Sequence, residues 1–299
     1  MLGAMPGLIH IVGARPNFIK AAPVIEALRA ADVEQQVIHT GQHYDRAMSD
    51  VFFDQLGLPE PDRNLGVGSG SHGAQTAALL VALEETFTES APDRVVVYGD
   101  VNSTLAAALV CAKLRIPVAH VEAGLRSFDT TMPEEVNRRV TDLLADPLYV
   151  TAPEGQQNLA NEGINGDRVV FVGNPMIDTL LKHLDRFDPG PVTAQLGLEP
   201  PYGVATLHRP ANVDTPEAAA GLVRALREAT ARLPIVLPLH PRGRATLAAA
   251  GLDEVPDLTV VDPLGYIEFI SLVRGAAVVI TDSGGIQEET TVLDVPCLT

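Results

Sequence analysis

The sequence is poor in cysteine and in positive charge, and both shortages limit what the protein can be. It has two cysteines among 299 residues, Cys111 and Cys297. Both lie in apolar segments, so we expect buried free thiols in a reducing compartment rather than a disulfide framework. Lysine and arginine number 21 against 38 aspartates and glutamates, which gives a formal net charge of −17. That charge argues against nucleic acid and anionic membranes as partners.

Targeting and membrane-spanning segments are lacking as well. The first residues, MLGAMPGLIHIVGARP, have no basic stretch before their short apolar run, which therefore predicts a first strand and not a signal peptide. No uncharged apolar run approaches the length of a membrane span. We therefore expect a cytoplasmic protein that has no membrane partner.

Apolar strand-like runs alternate with helical patterns along almost the whole chain. The predicted strands are LIHIVGA, EQQVIHTG, RVVVYGD, PVAHVE, PLYVTA, RVVFVG, GVATLH, PIVLPLH, LTVVD, AVVITD and VPCLT. Such alternation predicts an α/β fold whose parallel sheets carry helices on both faces. The chain changes character near Gly173, where a helix runs into proline- and glycine-rich sequence. We predict two Rossmann-like domains with parallel sheets facing a cleft, residues 1–173 and 174–299.

Carboxylates end two successive strands of one β-α-β unit. RVVVYGD ends on Asp100, PVAHVE ends on Glu122, and PEEVNRRV brings Glu134 and Glu135 to the start of the next helix. The carboxyl ends of parallel strands meet at the edge where such sheets bind ligands. Acids that share a cleft raise one another's pKa, as general acid–base chemistry requires. The alternatives are an N-cap at Asp100, helix-dipole stabilisation by Glu134 and Glu135, and a divalent-metal site.

A candidate anion site follows the first strand. In GARPNFIK, Arg15 and Lys20 flank the predicted start of a helix, and a helix N-terminus with two cations attracts anions. Ordinary surface charge is the alternative. No G-x-G-x-x-G motif is present, so the sequence does not support a dinucleotide cofactor.

The second domain has its own candidate anion sites. TDSGGIQEE ends a strand at Asp282, after which Ser283 can cap a helix that begins with Gly284 and Gly285. Backbone N–H groups without side chains suit a phosphate, and a glutamate one turn later, Glu288 or Glu289, suits a ribose. A plain strand–turn–helix connection is the alternative. Further histidine and arginine pairs follow the next strands, namely His208 with Arg209 and His240 with Arg242.

Seven motifs occur in the order found in one enzyme family. They are GARPNFIK, GDVNST, HVEAGLR, PEEVNR, HRPAN, DPLGYIEF and TDSGGIQEE. With these motifs the chain resembles the non-hydrolysing UDP-N-acetylglucosamine 2-epimerases from about Leu8 to its last residue, and HVEAGLR with TDSGGIQEE is the most specific combination. That family has the two-lobed GT-B fold and interconverts UDP-GlcNAc and UDP-ManNAc, which supplies ManNAc for surface polysaccharides.

The resemblance implies a mechanism and roles for residues. UDP is eliminated across C1 and C2 of the sugar to give 2-acetamidoglucal, and it adds back after C2 is reprotonated on its other face. The implied catalytic residues are Asp100, Glu122, Glu134 and His208. The implied substrate-binding residues are Arg15, Lys20, Arg209, Ser283, Gly284, Gly285 and Glu289. The family pattern implies a UDP-sugar substrate, a homodimer, no cofactor and no metal.

Three departures from the family pattern also bear on function. Ala211 stands in HRPAN where many members have glutamate. Some members of the family are activated by UDP-GlcNAc at a second site near a Q-H-x-x-M segment. Here GQHYDRAM matches that segment only at Gln42 and His43, which together with His240 are the candidate allosteric residues. The chain stops after VPCLT, and we expect a C-terminal domain that lacks its last part. A GT-B glycosyltransferase and a nucleotide-sugar binding or regulatory protein are the alternative functions.

Overall fold

The computed structural model describes residues 7–299 except 42–52, 208, 210, 211, 213, 214 and 240, and it leaves out the side chains of Arg15, Pro241 and Arg242. The chain divides into two compact units, Met1–Thr179 and Leu180–Thr299. The helix Pro175–Lys182 spans this division, and the predicted boundary near Gly173 lies just before that helix.

The strands of the described residues are short and follow one another at regular intervals. In chain order they are β1 Leu8–Val12, β2 Gln35–His39, β3 Arg63–Asn64, β4 Arg94–Tyr98, β5 Val118–Ala123, β6 Leu148–Val150, β7 Val169–Phe171, β8 Gly203–Thr206, β9 Ile235–Pro238, β10 Leu258–Val261, β11 Val278–Thr281 and β12 Cys297–Leu298. Each predicted strand is present, and only the two-residue β3 was not predicted. A strand of two exposed residues leaves no apolar pattern to find.

Helices connect most of these strands. In chain order they are α1 Arg15–Ala30, α2 His72–Ser90, α3 Asn102–Leu114, α4 Pro133–Leu144, α5 Pro153–Asn161, α6 Pro175–Lys182, α7 Pro189–Leu196, α8 Pro216–Thr230, α9 Pro241–Ala249, α10 Tyr266–Arg274 and α11 Gly284–Val292. Several begin with a proline in the first turn, where the missing N–H group has no helical partner to lose.

Each unit contains one parallel sheet. The first sheet has the order β3-β2-β1-β4-β5-β6-β7 and the second has the order β10-β9-β8-β11-β12, and every strand pair described is parallel. The predicted fold class, α/β with two Rossmann-like parallel-sheet domains, is confirmed. In both sheets the order reverses beside the first strand, between β1 and β4 and between β8 and β11. Ligands of such sheets bind where the order reverses.

Both sheets are buried by helices, which explains why their strands are almost continuously apolar. The first unit packs Ile9, Val95 and Val97 of its sheet against Leu79 and Leu83 of α2. The second unit packs apolar groups on both faces of β8, with Ala205 in one core cluster and Val204 in the other. No helix among the described residues is both long and apolar enough to cross a membrane.

The prediction for the two cysteines is correct for only one of them. Cys111 lies on α3 in the first core, and burial raises the pKa of its thiol to about 12. Cys297 is partly exposed, because β12 forms the edge of the second sheet and pairs only with β11. The expectation of a buried thiol at Cys297 is therefore wrong.

A fully buried histidine lies in the middle of the first sheet. The ring of His10 contacts the Tyr98 hydroxyl through Nδ1 and the Gln35 side-chain oxygen through Nε2, both at 2.7 Å. Burial lowers the pKa of His10 to about 4, although the hydrogen bond with Gln35 acts in the opposite direction. The folded unit therefore holds this ring neutral, whereas the unfolded chain protonates it near pH 6.5.

We expect His10 to make the first unit sensitive to acid. Its pKa is lower in the folded state, so its contribution is complete above pH 6.5 and is lost as the pH falls towards 4. Over that range the free energy of unfolding should fall by about 3 kcal/mol more in the unmodified protein than in His10→Gln. Urea unfolding at several pH values measures this difference, and parallel pH profiles for the two proteins would contradict it.

Candidate functional site

In the first unit, an asparagine ties the start of α1 to the end of β4. The side-chain oxygen of Asn17 accepts hydrogen bonds from the backbone N–H groups of Gly13 and Ala14, both at 3.1 Å. Its side-chain nitrogen donates to the Tyr98 carbonyl at 2.9 Å. These hydrogen bonds lie where the strand order reverses, and they hold the N-terminal turn of α1 beside Gly99.

Gly99 turns the chain immediately after β4, and a side chain there would press on its neighbours. Its φ is +60°. A Cβ atom placed there would lie 3.0 Å from Glu122 Oε2 and 3.3 Å from Lys20 Nζ. Those two groups form an ion pair of 2.5 Å and are each 11% exposed. Lys20 and Glu122, which were predicted for different roles, are therefore in direct contact against this turn.

Asp100 follows Gly99 and is held from α4. Its side chain pairs with Arg138, whose guanidinium also contacts Glu135 Oε2 at 3.1 Å. The Asn137 side chain donates to the Asp100 carbonyl at 2.8 Å. The N-cap position of α3 is Val101, without a side-chain cap. The alternative of Asp100 as an N-cap is therefore wrong, because its carboxylate points to Arg138 instead.

The two glutamates at the start of α4 differ in environment. Glu135 is buried, and its Oε2 accepts from the backbone N–H of Ser127 at 2.9 Å. Glu134 is half-buried, and no described residue forms a hydrogen bond or an ion pair with it. Glu135 therefore anchors the 127–135 loop, while Glu134 remains the carboxylate of α4 that is available to a ligand.

Glu122 lies on an irregular strand end. Its φ is +75°, and the pairing of β5 with β6 shifts register between Val121 and Ala123. Gly124 follows with a φ of +82°, and a Cβ atom there would lie 2.4 Å from the Gly155 carbonyl oxygen. A bulge of this kind redirects a side chain, and here the redirected side chain is the Glu122 carboxylate.

A buried charged network that the sequence analysis did not predict lies behind these carboxylates. His120 Nδ1 is 2.7 Å from Asp142 Oδ1, and Asp142 Oδ2 accepts from Arg126 at 2.7 Å. Burial acts to raise the pKa of Asp142, but the hydrogen bonds and charges of His120 and Arg126 outweigh it and hold that pKa below its ordinary value. His120 belongs to the HVEAGLR motif, and a histidine inside an apolar strand was the available signal.

In the second unit, α11 starts where β11 ends beside β8. Ser283 is at the N-cap position, but its side chain makes no capping hydrogen bond. Its backbone N–H donates to Thr281 Oγ1 at 3.0 Å, and Thr281 contacts Thr206 on β8. Gly284 opens the helix, and a Cβ atom there would meet no atom within 4 Å. Open space at a helix N-terminus suits a phosphate.

Two more predicted residues of this unit have defined partners. Arg209 donates to the Asp282 carbonyl at 2.6 Å through Nε and to Asp282 Oδ2 at 2.9 Å through its backbone N–H. Glu289 is buried and accepts from the Tyr266 hydroxyl at 2.9 Å. Burial and the Glu289 carboxylate raise the pKa of Tyr266 far above its ordinary value, so the hydroxyl stays a donor.

Gln42, His43, His208 and His240 lie outside the described residues. Arg15 begins α1, so its backbone lies where the sequence places it, but its side chain is among those left out. Among the described residues, no cluster of three or more histidines, cysteines or acids could hold a metal ion.

The chain matches the model of an enzyme family over most of its length. Residues 26–299 match the model described as UDP-N-acetylglucosamine 2-epimerase. The chain is 43% identical to the UDP-2,3-diacetamido-2,3-dideoxy-D-glucuronate 2-epimerase of Pseudomonas aeruginosa, over 98% of this chain and 82% of that protein. It is 44% identical to a UDP-N-acetylglucosamine 2-epimerase homolog of Methanococcus maripaludis, over 98% of this chain and 83% of that protein.

A solved structure is similar in fold as well as in sequence. It is the Methanocaldococcus jannaschii UDP-GlcNAc 2-epimerase in complex with UDP-GlcNAc and UDP, at a TM-score of 0.90 and 40% identity. The similarity covers 97% of this chain and 82% of that one.

We expect Gly99→Ala to destabilise the protein more than the same substitution does at a glycine with a similar backbone conformation. Gly163 also has a positive φ, but open space surrounds it. Gly163→Ala should therefore cost about 1–2 kcal/mol for the backbone conformation alone. Gly99→Ala should cost about 1–3 kcal/mol more, because its methyl group pushes on the Lys20–Glu122 pair. Chemical unfolding of both variants measures the difference, and equal losses would show that the space at Gly99 is not limiting.

Proposed function

The chain belongs to the UDP-N-acetylglucosamine 2-epimerase family, and we propose that it interconverts UDP-GlcNAc and UDP-ManNAc by inverting C2 of the sugar. The observation that carries this proposal is the group of acids at one sheet edge of the first unit. Asp100 and Glu122 lie on either side of the Gly99 turn, and each has a cation beside it.

The names of the relatives agree on the type of reaction but differ in the substrate. The Pseudomonas relative is named for a diacetamido glucuronate, and the archaeal relatives are named for UDP-N-acetylglucosamine. Every one of these names specifies a change at C2 of a UDP-linked acetamido sugar. We therefore propose a UDP-sugar substrate with an acetamido group at C2, and UDP-GlcNAc as the first compound to test.

We further propose that the reaction proceeds by elimination and re-addition. C2 is not next to a carbonyl, so its proton is not removed to give a simple enolate. Instead a base takes the C2 proton, the C1–O bond to UDP breaks, and a C1–C2 double bond forms. This gives 2-acetamidoglucal and UDP. An acid then returns a proton to the other face of C2, and a diphosphate oxygen of UDP adds to C1.

The acids of the first unit have the properties that this chemistry requires. Asp100 and Glu122 are partly exposed, so they can reach a ligand, and Glu134 stands one helical turn before Arg138, the partner of Asp100. We propose that these three exchange protons with C2. Lys20 adds positive charge that can stabilise a leaving diphosphate, and we assign the same role to Arg15 and His208.

Nucleotide binding is assigned to the second unit. The open N-terminus of α11, with Ser283, Gly284 and Gly285, offers backbone N–H groups to a diphosphate. Glu289, held by Tyr266, is the group that we assign to the ribose hydroxyls, and Arg209 is a further substrate contact. Elimination and re-addition transfer no hydride, so the proposal requires no nicotinamide. The homodimer stays a prediction that the mass of the purified protein in solution tests.

Conservative changes at the acids should strongly slow proton exchange. Asp100→Asn and Glu122→Gln keep the shape of the side chain and remove its ability to take up a proton, so each should lower turnover by roughly 10²–10⁴-fold. Glu154→Gln is the matched control, since Glu154 is an exposed acid at the start of α5 in the same unit. The measurement is C2-proton exchange in D₂O with UDP-GlcNAc as the sole substrate.

The outcomes of this experiment separate the candidate functions. A glycosyltransferase or a binding protein would give no C2 exchange with the unmodified protein. Near-normal exchange in Asp100→Asn or Glu122→Gln would remove that residue from the catalytic set. Loss of thermal stability with little kinetic change would indicate a structural role.

Gly284→Val should weaken UDP binding and leave the fold unchanged. The valine has room in the unliganded protein, but it fills the space that a phosphate would occupy over the start of α11. Gly221→Val is the control, because Gly221 lies on α8 of the same unit and also has open space around it. Calorimetry with UDP measures the affinities. Equal UDP affinity in Gly284→Val and the unmodified protein would rule out this helix N-terminus as the diphosphate site.

A further inference from the structure

His120 lies on β5 and joins the two strand ends that carry the proposed catalytic acids. Its side chain is fully buried. Its Nε2 is 2.8 Å from the carbonyl oxygen of Gly99, the residue before Asp100. The backbone N–H of Gly99 donates to the Val121 carbonyl at 3.0 Å. His120 and Val121, which are neighbours on β5, therefore bond to the carbonyl and to the N–H group of Gly99.

The partner of His120 holds the other strand end. Asp142, on α4, contacts His120 Nδ1 with one carboxylate oxygen. Its other oxygen accepts from the backbone N–H of Gly124 at 3.1 Å, just beyond the bulge at Glu122. Arg126 pairs with the same oxygen and also with Glu162. The network thus contacts the backbone at Gly99, before Asp100, and at Gly124, beyond Glu122.

The chemistry of the acceptors sets the direction of these hydrogen bonds. A carbonyl oxygen can only accept, so Nε2 of His120 donates to Gly99. Asp142 accepts in parallel from the Gly124 N–H and from Arg126, and its other oxygen lies 2.7 Å from His120 Nδ1. The histidine ring therefore bridges a carboxylate and the turn that bears Asp100, with Nε2 as the donor to the turn.

Stability alone is a weak reason for such a network. Burying charged groups costs free energy that their mutual attraction often does no more than offset, and apolar residues of similar volume commonly do as well. The neighbouring strand positions on β5, Val118, Ala119 and Val121, are apolar and buried. A polar group at position 120 therefore has a purpose other than filling the core.

We propose that His120 is a positioning residue for the reaction. Its bond to the Gly99 carbonyl fixes Asp100, its bond to Asp142 fixes the chain beside Glu122, and the network thereby sets the spacing of the two carboxylates. This inference rests on the proposed function, because it assigns the network a role in proton exchange at C2. Misplacement of a catalytic group by about 1 Å can cost roughly 10²-fold in rate.

Two substitutions separate the two ends of the ring. The amide nitrogen of glutamine can take the place of Nε2, and that of asparagine can take the place of Nδ1. His120→Gln therefore retains a donor to Gly99, whereas His120→Asn retains only the contact with Asp142. We expect His120→Asn to lower kcat for C2-proton exchange by about 10–100-fold. His120→Gln should lower kcat much less. KM and the affinity for UDP should change little in both.

The matched control is His10, which is also fully buried in the same sheet but contacts Tyr98 and Gln35. His10→Gln and His10→Asn should lower thermal stability and leave kcat near that of the unmodified protein. A structural role for His120 predicts the same pattern, with equal kcat in its two variants, and that result would overturn the proposal. If His120→Asn does not fold, His120→Leu, which offers no donor to Gly99, takes its place: a kcat well below that of His120→Gln supports the proposal, and equal kcat values contradict it.

Amide hydrogen exchange tests the contact of His120 with the backbone independently of activity. The N–H group of Gly99 should exchange faster in His120→Asn than in His120→Gln, while those of β2 should not differ. Absence of C2 exchange in the unmodified protein would refute the proposed function and the catalytic role of His120 together. Normal C2 exchange in the unmodified protein and equal behaviour of the two His120 variants would refute the inference alone.

Discussion

The arrangement of the first unit depends on one backbone position that leaves little room for a side chain. Gly99 turns the chain after β4 with a positive φ, and the Lys20–Glu122 ion pair packs directly against it. This close approach lets α1, β4 and β5 each bring one functional group to the same point. The Asn17 and Arg138 contacts then hold the turn and Asp100 from two further directions.

Charge balance around this turn is local, although the chain as a whole is strongly acidic. Glu122 is matched by Lys20, and Arg138 is shared between Asp100 and Glu135. Beneath them Arg126 pairs with both Asp142 and Glu162, and Asp142 also contacts the His120 ring. Glu134 is the acid without such a partner among the described residues. A site built in this way can hold acids close together, because each cation lowers the repulsion between them.

The second unit uses a different principle at the equivalent position of its sheet. Its strand order also reverses beside the first strand, but the residues after β11 are Asp282, Ser283 and Gly284 rather than a cluster of acids. Asp282 is used internally, since it holds Arg209 and Asn212. Among the described residues, no side chain lies within 4 Å of a Cβ position at Gly284, the first residue of α11. The same topology thus brings a group of acids to this point in one unit and a helix start with glycine in its first turn in the other.

The sequence by itself determined the fold class and the order of the strands along the chain. Parallel strands buried on both faces must be apolar throughout, and this local pattern identified every strand except the exposed pair Arg63–Asn64. It also placed Asp100, Glu122 and Glu134 at strand ends and a helix start, because those positions follow directly from where the apolar runs stop.

Only the tertiary structure decided which of these groups meet. The contact of Lys20 with Glu122 and that of Asp100 with Arg138 join residues far apart in the chain, and no local pattern encodes such a pairing. His120 looked like one more residue of an apolar strand, and its link to Gly99 depends on β4 and β5 being neighbours in the sheet. Strand periodicity specifies which face a side chain points to, but the partner it finds there is set by the packing of other elements.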